Sequence, residues 1–389
     1  YPQSLFELGR SYVQTGKGGK ASECFYTLLA CKDSTFYGRT LLELAMISAN
    51  GRKYDAAIEY YKTVVAELPH SRESQDAISG LESIYQTQNR PEEFLAYIDG
   101  IGMSDLKSDD EKEIMIFNAA EQKFYSGNYS TALKSLKKYL ADYPSGLKYA
   151  KASFYCAECL RNMGRMEASA DYYSKVMRAS DKELKEKATS RYADIEYDLQ
   201  HYAKAVEAYG ALAESASSED VRTGAYIGRM KAYYGDKKYD KAIQDAQVVL
   251  TLGGIPDATR RQVNFMMAKS YRMTGESDLA KALFSEISKD CSDEYGGESS
   301  YILILDSYDK GDFPDVELKV YAFSDKGSNQ LYWLAKSFIV LGDSFADRND
   351  FAQARATFES IRDGYSPREN DDVLDQVNNR IELLNKMNK

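Results

Sequence analysis

The sequence predicts an all-α solenoid of about ten helix-turn-helix units followed by one C-terminal helix. Three observations carry this. Apolar residues recur at three- and four-residue spacing along the chain, which is one face of a helix. The 389 residues include only 7 Pro and are rich in Ala, Lys, Glu and Leu, a composition suited to helices. A small residue also returns at a near-constant interval. It falls at Ala21, Ala57, Ala132, Ala205, Ala242, Ala280 and Ala354, with Phe94, Ser169 and Val316 in the equivalent slots of three weaker copies. Successive differences are 36, 37, 38, 37, 36, 37, 38, 36 and 38, which sets the period near 37.

Each unit has the same internal logic. Its first helix carries an apolar residue, a small one and then an aromatic, as in Leu8-Gly9 with Tyr12 and Leu341-Gly342 with Phe345. A turn containing Gly, Asn or Asp follows. The second helix carries the marker residue and, four positions on, an aromatic such as Phe25, Tyr61, Tyr173, Tyr209 or Phe284. Small residues at Gly9, Ala45, Ala157, Ala193, Ala268 and Gly342 let the paired helices approach, and the aromatics fill the space left between units. This accounts for much of the Tyr content, 32 residues, with the ring packed and the hydroxyl expected to reach solvent. The third and ninth units are degenerate, and Pro91 and Pro314 are expected to start their second helices. The segment "GIGMSDLKSDDEK" predicts a weak joint near residues 100–112. The array is expected to run over residues 1–370, with 371–389 as an amphipathic capping helix. The opening "YPQS" matches the closing Pro of a unit, so at least one further unit is expected ahead of Tyr1.

Net charge is −10 with both signs interleaved, and no nucleic-acid partner is expected without a dominant basic footprint. No run approaches the roughly 18 apolar residues of a membrane helix, so no integral membrane segment is expected. The two histidines, His70 and His201, fall in turns. Cys156 and Cys159 form a C-x-x-C, but the pair lies mid-helix, and Cys156 takes the slot of Leu8, Leu44 and Met267. They are read as packing residues, because no second pair completes a zinc site. Five cysteines without a regular framework do not make a disulfide scaffold. The charge runs "KSDDEKE" and "SDKELKEK" read as solvated turns and helix starts. No catalytic residue, metal or cofactor is expected.

The pattern resembles the tetratricopeptide repeat, through Leu8, Gly9, Tyr12, Ala21 and Phe25, through Ala57, Tyr61 and Pro69, through Ala132 and Pro144, and through Ala268, Tyr271, Gly275, Ala280 and Phe284. It departs from the family in its longer period and in lacking the signature Trp; Trp333 lies just before that slot. The resemblance implies a right-handed superhelix whose first helices line a concave groove. The slots that would face that groove include Phe117, Phe124, Phe154, Arg161, Tyr197, Lys231, Tyr234, Phe265, Arg272 and Tyr308, and these are the expected partner-binding residues. Glu121, Glu158 and Asp194, then Lys231 and Lys269, flank the aromatic stripe. The carboxylate clamp of chaperone-binding relatives finds a match only in Asn118. The resemblance thus implies a non-enzymatic scaffold that binds a protein or peptide. The layout of "YPSGLKYAKASFYCAECLRNMGR" is similar to periplasmic repeat proteins of bacterial envelope assembly, which implies a periplasmic or outer-membrane-associated location. A cytoplasmic location is the alternative. Two other functional readings stay open: a glycan-capturing lipoprotein with a helical base, and an accessory array of a larger enzyme. Oligomeric state is left open.

Overall fold

The described residues form ten helical hairpins and a terminal helix. The computed structural model describes residues 1–31, 35–326, 329–369 and 371–387; it is about 80% helical, with no strand among the described residues. The chain divides into two compact units, Tyr1–Leu184 and Lys185–Lys389. The first contains five hairpins: α1 (Pro2–Gln14) with α2 (Gly18–Ala30), α3 (Tyr37–Asn50) with α4 (Tyr54–Glu67), α5 (Arg72–Thr87) with α6 (Pro91–Gly100), α7 (Asp109–Tyr125) with α8 (Tyr129–Asp142), and α9 (Tyr149–Asn162) with α10 (Met166–Val176). The second begins within α11 (Lys182–Asp198), which pairs with α12 (Tyr202–Ser215). There follow α13 (Glu219–Gly235) with α14 (Tyr239–Thr251), α15 (Asp257–Thr274) with α16 (Ser277–Ile287), α17 (Glu294–Asp309) with α18 (Phe313–Asp325), and α19 (Leu331–Asp347) with α20 (Phe351–Gly364). The last helix, α21, spans Val373–Met387; residues 388 and 389 of the expected cap lie outside the described residues.

The hairpin turns share one backbone device. Gly16, Arg52, Asn89, Gly127, Gly164, Gln200, Lys237, Gly275, Gly311 and Asn349 all have positive φ, and each stands five residues before its unit's marker. In nine of these turns the amide that follows the left-handed residue reaches back to the carbonyl five positions earlier, as in Lys17 to Tyr12 at 2.8 Å and Lys238 to Tyr233 at 2.8 Å. This closes the first helix as a Schellman motif. Gly and Asn tolerate the conformation, whereas Arg52, Gln200 and Lys237 carry an unfavourable Cβ into it, at a cost of roughly 1–2 kcal/mol. Glycine's larger unfolded-state entropy offsets part of any gain, by roughly 0.5–1 kcal/mol. Lys237→Gly is therefore expected to stabilise the seventh hairpin by about 0.5–1 kcal/mol. An unchanged or lower urea midpoint would count against this.

The marker slots are the tightest points of the core. Ala21, Ala57, Phe94, Ala132, Ser169, Ala205, Val316 and Ala354 are wholly buried, and Ala242 and Ala280 nearly so. Gly9 lies against the Phe25 ring so closely that a Cβ there would sit 2.6 Å from it. As expected, Pro91 is the first residue of α6 and Pro314 lies in the first turn of α18. Ahead of α7, residues 104–106 form a 3-10 turn, and Ser108 with Glu111 makes a capping box. Apolar clusters run from hairpin to hairpin within each unit, so each face is buried by its neighbours.

One expectation about the tyrosines is corrected. Several hydroxyls bond to carboxylates on neighbouring helices instead of reaching solvent: Tyr139 to Glu113 at 2.5 Å, Tyr155 to Glu121 at 2.8 Å, Tyr209 to Asp194 at 2.7 Å, and Tyr173 to Glu158. Burial comes first and hydrogen bonding second in raising all four phenol pKa values, and for Tyr155 the Tyr125 hydroxyl contributes ahead of Glu121. The ring buries enough of its edge that the hydroxyl needs a partner inside the array.

Candidate binding surface

The first helices of the hairpins present the surface singled out by the sequence. In the first unit, the rings of Phe117, Phe124 and Phe154 converge on Tyr155, with centroid distances of 6.3, 4.5 and 6.3 Å. Phe117 is fully buried there, between Tyr155 and Tyr139. It is a core residue and is not available to a partner. Phe124 and Phe154 remain half-buried. Arg161 pairs with Glu158 at 2.9 Å on its own helix. Lys151 pairs with Glu121 at 2.8 Å and lies over the Phe117 ring. All three expected acidic flanks therefore have partners within the array, Glu121 and Glu158 here and Asp194 through the Tyr209 hydroxyl.

The second unit contains the other six. Phe265 is buried against Phe284 and Tyr295 and is likewise a core residue. Tyr197, Lys231, Tyr234 and Tyr308 are half-buried, and Arg272 is exposed. Tyr197 packs on Tyr202, and the Tyr308 hydroxyl bonds Asp347 at 2.7 Å. Tyr234 and Arg272 come together in a hollow of about 160 Å³, also lined by Lys269, Met273, Glu298, Tyr301, Ile302 and Trp333. Lys269 lies 5.9 Å from the Tyr234 ring centre and 5.3 Å from that of Phe265. Its ammonium pairs with Glu298 at 2.9 Å, and Arg272 pairs with Asp306 at 3.2 Å. The hollow is thus lined by the rings of Tyr234, Tyr301 and Trp333 together with the charges of Lys269, Arg272 and Glu298.

Residue-by-residue reading missed Met273, Glu298 and Trp333. It also missed a larger hollow of about 510 Å³ on the same face of the first unit, lined by residues such as Arg10, Arg39, Leu42, Glu43, Met46 and Glu73. Arg10 faces Glu43 at 3.4 Å and Arg39 faces Glu73 at 3.6 Å. Burial raises the Glu43 carboxyl pKa against the pull of Arg10. The available signal was the offset between the charges. Arg10 to Glu43, Arg39 to Glu73 and Arg272 to Asp306 are 33 or 34 residues apart, one period less one helical turn.

The remaining chemical candidates have structural surroundings. Cys156 and Cys159 are wholly buried mid-helix in α9, and burial pushes their thiols up to about 12 and about 11, away from reactive thiolate. His201 caps α12, with its ring Nδ1 2.8 Å from the buried Glu196 carboxylate. Among the described residues, no group of three or more His, Cys, Asp or Glu side chains is placed to hold a metal ion. No helix among the described residues is long and apolar enough to cross a membrane.

An array of short helical hairpins with side chains displayed on its first helices defines a protein-interaction scaffold. Residues 117–183 match the tetratricopeptide repeat family, and residues 230–312 match a second model of the same repeat. The chain is a tetratricopeptide repeat protein. Among solved structures, it is similar to the apo form of RapI, at 14% identity over 90% of this chain and 97% of that one, with a TM-score of 0.41. It is also similar to MamA from Desulfovibrio magneticus RS-1, at 18% identity over 46% and 93%, with a TM-score of 0.35. A tetratricopeptide repeat protein from Parabacteroides merdae ATCC 43184 matches at 14% identity over 68% and 98%, with a TM-score of 0.26. These TM-scores lie below 0.5, and the family assignment rests on the repeat matches. No curated protein matches the chain.

Proposed function

We propose that the chain is a non-enzymatic adaptor that holds an extended peptide or a helix of a partner protein against its first-helix face. The hollow bounded by Tyr234, Arg272 and Trp333 is the proposed anchor point. The observation that supports this is the combination of three aromatic walls and paired charges around a space the size of one large side chain. Aromatic and Arg side chains in such settings usually dominate binding energy, and the surrounding charges set orientation and encounter rate. Tyr197, Lys231 and Tyr308 are proposed as supporting contacts in the same unit, and Phe124, Phe154 and Arg161 as partner contacts of the first unit taken by itself. The periplasm-like layout of the fifth unit favours a place in the bacterial cell envelope.

The test separates binding from packing. A partner captured by the wild-type chain is identified and titrated against variants. Tyr234→Ala is expected to weaken it by about 2 kcal/mol, roughly thirtyfold, with little change in thermal stability. Phe265→Ala, at a buried position, should instead destabilise its hairpin. If Tyr234→Ala leaves affinity within twofold, the anchor lies elsewhere on the protein.

A further inference from the structure

We propose a second interaction surface, apart from the first-helix face: a basic patch on the neighbouring second helices α8 and α10 that holds an acidic segment of a partner protein. Both signs of charge occur throughout the chain, but their balance is uneven. Residues 123–178 contain ten Lys and Arg against four Asp and Glu, a net +6, whereas the whole chain is −10. Lys134, Lys137 and Lys138 stand at i, i+3 and i+4 on α8, so they share one side of that helix, and all three are exposed. Lys175 of α10 is exposed too. The half-buried Tyr172 ring of α10 joins the two sets: the Lys175 ammonium lies 4.3 Å from its centre and the Lys137 ammonium 5.8 Å.

These ammoniums are uncompensated. None of the four lysines is ion-paired to a carboxylate among the described residues. Of the four acids in the zone, Glu158 takes Arg161 and the Tyr173 hydroxyl, and the exposed Asp142, Glu167 and Asp171 make no ion pair with the lysines. Elsewhere, Lys151, Lys269 and Lys336 also lie over aromatic rings, but each has its carboxylate, Glu121, Glu298 and Asp372. Like charges one helical turn apart, as at Lys134 and Lys138, destabilise the helix that carries them. An acidic segment supplies the missing anions, and the Tyr172 face already holds two of the ammoniums, which lowers the ordering cost of binding. A lipid surface fits less well, because docking on it adds the insertion of apolar side chains. Among the exposed large apolar residues, none comes from α8, and α10 supplies only Met166 at its first position. A nucleic acid would find no basic path ahead of the patch, since residues 1–122 contain nineteen acidic residues against twelve basic ones.

The probe is a peptide of about ten residues, half of them Glu, long enough when extended to cross both helices. It is set against the same peptide with Gln for Glu, vesicles of phosphatidylglycerol and phosphatidylcholine, and a single-stranded oligonucleotide. The full chain is expected to bind the Glu peptide at low salt, to lose it as salt rises, and to ignore the Gln peptide. Lys137→Gln with Lys175→Gln should weaken binding about tenfold, and so should Lys134→Gln with Lys138→Gln. Lys241→Gln removes an exposed lysine that lies over the Tyr233 ring outside the zone, and should leave affinity within about twofold, as should Tyr234→Ala. All five lysines are exposed, so these variants are expected to fold, with unchanged urea midpoints as the check. Equal binding of the Gln peptide, both double variants within twofold of wild type, or tighter retention of the vesicles or the oligonucleotide than of the Glu peptide would each overturn the proposal. So would a change in sedimentation of either unliganded double variant, which would make the patch an interface between copies of this chain.

Discussion

Replacing Arg229 with Met is expected to destabilise the seventh hairpin by about 3–5 kcal/mol, because it strands a buried carboxylate. Arg229 of α13 makes a two-pronged contact with Asp245 of α14, Nε to Oδ2 at 2.8 Å and Nη2 to Oδ1 at 2.7 Å. Asp245 is only 5% exposed, so little water can replace the guanidinium. The repeat itself supplies the control. The slots of Arg229 and Asp245 are held by Met267 and Leu283 in the eighth hairpin, and by Leu44 and Tyr60 in the second. Arg229→Met with Asp245→Leu therefore writes an apolar pair already used by the array. Such a swap of a buried ion pair is commonly neutral or stabilising by about 1–4 kcal/mol. An array of hairpins need not unfold in one step, so the readout is local hydrogen exchange in α13 and α14 alongside urea unfolding. A single variant that costs under about 1 kcal/mol would show that water reaches Asp245. A double variant as damaged as the single would show that the charge pair sets the local geometry.

The backbone of the fold was legible because its determinants are local or strictly periodic. The marker series Ala21 to Ala354 places each second helix, and the left-handed turn residues follow the same series five positions earlier. Gly and Asn occupy seven of those ten turn slots, a signal visible in the sequence once the marker register is fixed. The surface was harder to read. Periodicity puts Phe117 and Phe265 on the first-helix face, but whether a ring there faces water depends on what the next hairpin lays over it. Tyr155 and Tyr139 enclose Phe117, and Phe284 and Tyr295 enclose Phe265. Likewise, Glu158 and Asp194 looked like free flanking charges. The hydroxyls of Tyr173 and Tyr209, each fifteen residues further on, reach them from the paired helices α10 and α12. Composition alone cannot assign those pairings, because a Tyr in that slot could equally point its hydroxyl at water.

Phe358→Ala is expected to cost about 3–5 kcal/mol, and it should also reverse the effect of a second substitution. Phe358 is the closing aromatic of the tenth hairpin and is 1% exposed. Its ring edge faces Gly342 so closely that a Cβ on that glycine would lie 2.4 Å from a ring carbon. No side chain fits there unless the ring moves, and the surrounding core of Leu341, Ala354 and Ile361 leaves it little room. Two opposing terms then decide the fate of Gly342→Ala. Helix propensity favours it by about 0.5–1 kcal/mol, and overpacking opposes it by about 1–3 kcal/mol. With Phe358 present, overpacking wins and the variant is destabilised. With Phe358→Ala, the clash is gone and only the propensity gain remains, so the same substitution should stabilise the weakened protein. The double-mutant cycle measures this reversal as a coupling of about 1–3 kcal/mol. A zero coupling would mean that the ring can swing aside freely. The apolar-small pair of the first helix would then have no packing reason to sit opposite the aromatic of the second. A sign reversal would show that the Gly and the aromatic specify each other, which is the physical content of the repeat's spacing.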